Sequence, residues 1–254
     1  MSHEFQGKTA LVTGASRGIG AATAIALAQA GCARILVHYG SYKAGAEEVA
    51  AAVRAAGAEA IVLPGELATE DGIQTFLTTL APFATSIDIL VNNAGSLLQR
   101  AKLAETTFDL YNRVMDLNAK STWFIAQAVA SHMTTRGGGV IVNLSSIAAR
   151  NGGGPGATLY ASSKAAVACM TKGMAKELAP FGVRVNAISP GTVDNDFHAK
   201  FSTREILDNV VKLTPQGRLS SNEDMAAVVV FLCSDSAANI IGQTIEINGG
   251  MWMV

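Results

Sequence analysis

Tyr160 and Lys164 stand four residues apart in the run Tyr-Ala-Ser-Ser-Lys, and residues so spaced project from one face of a helix. A phenol, with an unperturbed pKa of about 10, is a poor acid or base near neutrality. Lowering it by about three units requires roughly 4 kcal/mol of preference for the phenolate. One ammonium about 4 Å away, at an effective dielectric near 20, supplies an interaction of that order. The spacing therefore suits proton transfer, and a positive ring nearby would add to the effect. Upstream, Val140–Leu144 reads as a strand that runs into Ser145-Ser146. A hydroxyl at a strand's carboxyl end can hydrogen-bond a carbonyl oxygen while negative charge develops there. Each piece alone has a plainer reading: a surface tyrosine lying over a lysine stem, and a pair of strand-end caps.

Two loops add a different chemistry. Thr13-Gly14-Ala15-Ser16-Arg17-Gly18-Ile19-Gly20 follows the first candidate strand and opens the first helix. Glycines let the backbone turn tightly and approach a pyrophosphate. The free N–H groups and positive dipole end of the helix then hold the anion. The spacing is GxxxGxG rather than GxGxxG. Asn92-Asn93-Ala94-Gly95 follows the fourth strand. Alone it is a turn of residues that tolerate left-handed backbone; beside the first loop it lines the same sheet edge.

The elements that must position these residues are short β-branched runs alternating with Ala-rich helical ones. Candidate strands are Thr9–Thr13, Arg34–Tyr39, Ala60–Leu63, Ile87–Asn92, Val140–Leu144, Val183–Ile188 and Thr244–Ile247. Several are continuous apolar runs, the pattern of strands covered on both faces. Helical stretches include Ala21–Ala30, Ala44–Ala56, Phe108–Met133, Leu159–Ala179 and Glu223–Cys233. Gly31 and Gly57 fall where helices should stop, and Ser221 with Asp224 forms a candidate capping box. The alternation predicts an α/β fold. We expect one doubly wound Rossmann-type domain over residues 1–254, its seven-stranded, mostly parallel sheet flanked by helices on both faces. Ligands bind beyond the carboxyl ends of strands in such sheets.

Composition narrows the partners. The chain has 254 residues, a formal net charge of −1, 49% hydrophobic and 15% charged residues, so a large core can be buried without any basic face for nucleic acid or anionic membrane. Its apolar runs are broken well short of a membrane span. Met1–Phe5 lacks the basic and apolar regions of a signal peptide. Cys32, Cys169 and Cys233 are far apart and form no CxxC pair, which reads as buried, reduced thiols in the cytoplasm. The four histidines (3, 38, 132 and 198) are scattered, so no metal site is expected.

Taken in order, Gly14-x-x-x-Gly18-x-Gly20, Asn92-Asn93-Ala94-Gly95, Ser146, Tyr160-x-x-x-Lys164 and Pro190-Gly191 closely resemble the short-chain dehydrogenase/reductase family. The resemblance runs from Lys8 to Gly249-Gly250, and the ending Asn248–Val254 resembles that of 3-oxoacyl-carrier-protein reductases. It implies that Tyr160 is the general acid of carbonyl reduction and the base of alcohol oxidation. Lys164 would lower the phenol's pKa and bind the nicotinamide ribose. Ser146, followed by Ile147-Ala148-Ala149, would hold the substrate oxygen, and Asn118 would anchor a water in the proton relay. The cofactor site would comprise Gly14, Ser16, Arg17, Gly18, Ile19, Gly20, Ser41, Leu67, Asn93, Ala94, Gly95, Pro190, Gly191 and Val193, with Tyr160 and Lys164. Relatives that prefer NAD carry an Asp near the end of the second strand. Here Val37-His38-Tyr39-Gly40-Ser41-Tyr42-Lys43 has no acid, and Arg17 stands where NADP-binding relatives place a cation. NADP(H) is therefore expected over NAD(H), with Ser41 and Lys43 assisting at the phosphate.

Three departures concern the substrate end and the adenine. Glu66-Leu67 replaces the family's Asp-Val, Asn195 replaces a Thr that helps hold the nicotinamide amide, and the loop Asn151–Gly156 is one residue longer than in carrier-protein reductases. Residues 192–213 should fold over the site as a partial lid. The region His132–Arg136 offers one certain cation and Pro180-Phe181 none, where carrier-protein reductases meet an acidic carrier. The expected substrate is a small or medium ketone or secondary alcohol, with carrier-bound acyl groups and sugars or polyols as alternatives. A sensor that binds the dinucleotide without catalysis would normally lack the Tyr or Lys. The family implies a homotetramer, and the apolar Met251–Val254 is consistent with a buried C-terminus.

Overall fold

The computed structural model describes residues 4–253; the expectations resting on Met1–His3 and Val254 lie outside them. Seven strands are joined in one sheet: β1 Thr9–Val12, β2 Arg34–Tyr39, β3 Glu59–Pro64, β4 Ile89–Asn92, β5 Gly139–Leu144, β6 Val183–Pro190 and β7 Thr244–Ile247. Their order is β3-β2-β1-β4-β5-β6-β7. Every pairing is parallel, so the sheet is wholly rather than mostly parallel. The strand order reverses at β1 and β4, and the crevice outside their carboxyl ends is where such a sheet admits a ligand.

Helices cover both faces. α1 Gly18–Gln29, α2 Lys43–Ala55 and α10 Asn222–Cys233 belong to one side, whose buried cluster includes Ala24, Val49 and Val229. α3 Glu70–Ala84, α5 Ser121–Arg136 and α7 Thr158–Leu178 belong to the other, with Phe76, Val129 and Met174 in its core. β1 and β4, at the centre of the sheet, are buried at every residue between the two apolar layers, which explains their hydrophobic runs, whereas β7 at the edge is half-buried throughout. α3 was not among the stretches singled out above. Its start is signalled by Thr69, whose hydroxyl accepts from Gly72 N, and by Glu70 and Asp71 in the first turn.

The expected helix Phe108–Met133 is interrupted. α4 Phe108–Met115 passes into a wide π turn, Asp116–Lys120, before α5 begins. Asn118 sits in that turn, and its side-chain amide donates to the Val114 carbonyl at 2.8 Å. A side chain that takes a carbonyl four residues back competes with the helical ladder, and single π turns of this kind concentrate at functional sites. The hydrophobic spacing on either side could not reveal the extra residue in the turn. Beyond β6 lie α8 Asp196–Phe201 and α9 Arg204–Leu213. A short α6, Ala148–Asn151, precedes α7. Cys32 and Cys233 are buried, but Cys169, expected to be buried too, is exposed on the outer face of α7. Among the described residues no helix is long and apolar enough to cross a membrane, and no three His, Cys, Asp or Glu side chains converge.

Candidate active site

The glycine loop and the Asn-Asn-Ala-Gly loop are locked together. Thr13 Oγ1 accepts from Asn93 N and Ala94 N, both at 3.0 Å. Asn93 Nδ2 donates to Thr13 O at 2.7 Å and to Gly14 O at 3.0 Å. The close approach requires bare backbone. A Cβ on Gly14 would lie 2.9 Å from Ala94 Cα, and one on Gly20 would collide with Asn93 Nδ2 and Gly14 O. Gly14 and Gly18 also hold φ of 63° and 61°, in the left-handed region that favours glycine.

The residues expected to handle the proton come from two elements. β5 delivers the two serines. Ser145 is buried, and its hydroxyl donates to Lys164 O at 2.9 Å; Ser146 faces the cleft and hydrogen-bonds Tyr160. α7 carries Tyr160 and Lys164. Burial pushes the Tyr160 phenol up to about 12, with the Ser146 hydrogen bond pulling the other way. Lys164 Nζ donates to Leu144 O at 2.8 Å and lies 5.8 Å from the Tyr160 ring centre. Burial lowers this amine to about 8. Burial thus moves the phenol opposite to the direction expected from the Tyr-Lys spacing, and it outweighs the Ser146 hydrogen bond. A neutral phenol is the form that donates a proton.

Asn118 lies behind this group. It is fully buried, its Oδ1 accepts from Ser96 N at 3.1 Å and its amide donates to Ser96 O at 2.9 Å. A Cβ on Gly95 would come within 2.6 Å of Asn118 Oδ1 and 2.9 Å of Lys164 Nζ. The bare Gly95 therefore lets the π turn and the lysine abut the same point.

One cavity of about 780 Å³ runs along the strand ends. Every expected site residue lines it except Gly20 and Asn118, which stand one layer behind. Its volume and its glycine-lined floor fit a dinucleotide. Gly14–Ile19, Ser41 and Leu67 could hold the adenosine and diphosphate; Asn93–Gly95, Lys164 and Pro190–Val193 could hold the nicotinamide half. Arg17 stacks on the Tyr42 ring, 5.1 Å to its centre, and pairs with Asp196 at 3.5 Å. Lys43 is outside the cavity lining, and Tyr42 lines it instead.

The three departures have local explanations. Glu66 folds back so that its Oε1 accepts from Ala68 N at 2.7 Å, leaving Leu67 in the lining. Asn195 caps α8, accepting from Phe197 N, and donates to Asn222 Oδ1 at 3.1 Å. The loop Asn151–Gly156 turns on Gly152, Gly153 and Gly156, all with positive φ. Arg100 ties that loop to α8, donating to Pro155 O at 2.8 Å and to Phe201 O at 2.9 Å. Sequence reasoning missed Arg100, and it missed Leu98, a non-glycine with φ of 59° whose N–H donates to Ser96 Oγ. Neither residue type signals its place. Phe197 of α8 lies 5.7 Å from the Tyr160 ring, so the second half of the cavity is roofed by aromatic side chains.

Residues 14–252 match the family described as enoyl-(acyl carrier protein) reductase. A 3-oxoacyl-acyl-carrier-protein reductase of Staphylococcus epidermidis is 38% identical over 250 residues, 97% of this chain and 99% of that one.

The chain belongs to the short-chain dehydrogenase/reductase family.

Among solved members of that family, a 7α-hydroxysteroid dehydrogenase in complex with NADH and 7-oxo glycochenodeoxycholic acid superimposes with a TM-score of 0.89 at 33% identity, covering 97% of this chain and 95% of that one. An angucycline C-6 ketoreductase with bound NADP gives 0.88 at 34%, covering 98% and 96%. This short-chain dehydrogenase/reductase is accordingly an oxidoreductase that interconverts C=O and CH–OH with a nicotinamide dinucleotide. In that chemistry the cofactor supplies or accepts the hydride, and the protein supplies position and electrostatics.

Proposed function

We propose that the protein is an NADP(H)-dependent carbonyl reductase for a small or medium ketone, reversible as a secondary-alcohol dehydrogenase. Ser146 and Tyr160 converge on the carbonyl oxygen, and the Tyr160 phenol donates its proton as charge develops there. Lys164 positions the ribose and stabilises the phenolate that remains. Asn118 supports the return of a proton to this pair from behind. The chain acts as one unit over residues 1–254, with 192–213 as the lid.

The observation that carries the NADP reading is the adenosine end of the cavity. β2 ends and continues as Val37–Lys43 without a carboxylate, while Arg17 and Ser41 line the cavity there. Of the two acids near Arg17, Glu66 turns its carboxylate onto Ala68 N and Asp196 pairs with Arg17 itself. The angucycline ketoreductase was solved with NADP. The test is kcat/KM with each cofactor: NADPH should exceed NADH about tenfold or more, the worth of one or two charge-assisted hydrogen bonds. Arg17→Ala should remove most of that ratio by weakening NADPH alone. Equal or better use of NADH by the wild type would overturn the reading.

A second reading, reduction of acyl groups on a carrier protein, rests on the identity with the Staphylococcus reductase. The surface favours the first. Arg136, the certain cation of its region, is engaged by Thr85 O, Ile87 O and Asp88, and Phe181 is exposed and uncharged. We also infer a cytoplasmic homotetramer. What supports the assembly is apolar surface on Trp123, Phe124 and Met253, and elution as a tetramer at micromolar concentration is the expected result.

A further inference from the structure

His38 is the next-to-last residue of β2, and its side chain is 2% exposed. Both ring nitrogens are engaged. Nδ1 lies 3.0 Å from Gly14 N, and Nε2 lies 3.0 Å from Gly65 O. A backbone N–H only donates and a carbonyl only accepts, so Nδ1 carries the lone pair and Nε2 the hydrogen. The backbone carbonyl of His38 accepts from Ala15 N at 2.7 Å. One residue therefore grips two successive N–H groups of the glycine loop.

The ring cannot move away. Phe76 meets it edge-on with centroids 4.5 Å apart. A Cβ on Gly65 would lie 3.0 Å from Nε2, so bare backbone at Gly65 lets its carbonyl approach. Gly14, His38 and Gly65 all line the cavity. Burial keeps the imidazole neutral, with its pKa lowered to about 4. A protonated ring would set a second N–H against that of Gly14. Turning the Gly14 and Ala15 N–H groups inward fixes the bend that leads into α1, whose first residues Gly18 and Ile19 line the cavity and whose first N–H groups have no partner within the helix.

We propose that His38 is a positioning residue for the cofactor, its Nδ1 lone pair setting the glycine loop in the shape that receives a dinucleotide diphosphate. The proposal rests on reading that loop as the diphosphate cradle.

Two substitutions separate the two ring nitrogens. Asn places an oxygen where Nδ1 stands and so keeps an acceptor for Gly14. Gln reaches toward the Nε2 position and can serve Gly65 while leaving Gly14 N–H without its acceptor. The measurement is the Kd for NADPH and, at saturating NADPH, kcat, for the wild type, His38→Asn and His38→Gln. We expect His38→Asn to stay within about threefold of the wild-type Kd and His38→Gln to rise tenfold or more, with kcat changed less than twofold in both. Equal Kd changes in the two variants, or a larger change in His38→Asn, would overturn the proposal. As a readout that needs no variant, imidazole 15N NMR of the wild type should show Nδ1 unprotonated and its signal shifting when NADPH is added. A protonated Nδ1, or a signal indifferent to NADPH, also overturns it. A wild type that binds neither NADPH nor NADH would instead remove the dinucleotide reading beneath it.

Discussion

On the sheet side of the cleft the walls are strand ends, and β1 and β4 are buried at every residue. The loops that follow them are held by Thr13, Asn93 and His38 through hydrogen bonds with backbone. On the facing side α8 buries no residue and α9 buries Leu207 alone. That roof is held by the Asn195 cap, the Arg100 ties and contacts among Phe197, His198 and Phe201. The contrast separates two tasks. On the proposed reading, a fixed backbone cradle would serve a cofactor that is the same at every turnover, and a lightly anchored roof would suit entry and exit of the other reactant.

The largest expected effect lies where the two sides meet. Tyr160→Phe should lower kcat by roughly 10²–10⁴-fold, the usual worth of a positioned proton donor, and leave the NADPH Kd within twofold. A protein that kept its turnover would be using another donor, and the division between cradle and chemistry would need redrawing.

Next comes acid stability, which sets one histidine on each side against the other. Burial lowers both His38 and His198 from 6.5 to about 4. The unfolded chain then binds more protons than the folded one between those values, so stability is intact above about pH 6.5 and is lost as pH falls toward 4. Each group contributes up to about 1.4 kcal/mol per pH unit. If the roof opens locally, His198 titrates without global unfolding. Urea unfolding from pH 6.5 to 4.5 should therefore show a flattened slope in His38→Asn and an unchanged one in His198→Asn. Equal flattening would mean that the roof is as firmly built as the floor.

A smaller loss is expected from Gly20→Ala, whose new methyl has no room beside Asn93 and Gly14. Overpacking of this kind costs about 1–3 kcal/mol, read as a lowered Tm together with a raised Kd for NADPH. Phe197→Ala should have the mildest effect. Losing its contact with Tyr160 is worth about 0.5–1.5 kcal/mol, seen as a threefold to tenfold rise in KM for the ketone with NADPH affinity unchanged. A change in NADPH affinity alone would show that α8 belongs to the cradle.

Much of the cradle was legible in the sequence because its requirements are local. A tight turn against a diphosphate needs glycine at set positions, and a strand buried on both faces needs an unbroken apolar run. Gly14, Gly18, Gly20 and the central strand runs follow from those two conditions, and the order of motifs pointed to the family. The π turn was not legible, since Asn118, whose amide takes the Val114 carbonyl four residues back, is held from its other side by Ser96, a segment brought beside it only by folding. Arg100 was hidden because its partners Pro155 and Phe201 lie far along the chain, and Leu98 because no sequence pattern marks a leucine with left-handed backbone.

What the sequence by itself determined is the kind of chemistry: a dinucleotide loop, a serine after β5 and a Tyr160–Lys164 pair on one helical face. Tertiary structure alone decided how deeply that pair is buried. Burial, which no spacing encodes, raises the phenol and lowers the amine. It also decided that Ser145 turns inward and Ser146 toward the cleft, and that a histidine with no motif of its own closes the glycine loop onto β3. These are properties of distance across the sheet, and distance across the sheet is created when strands far apart in the chain become neighbours.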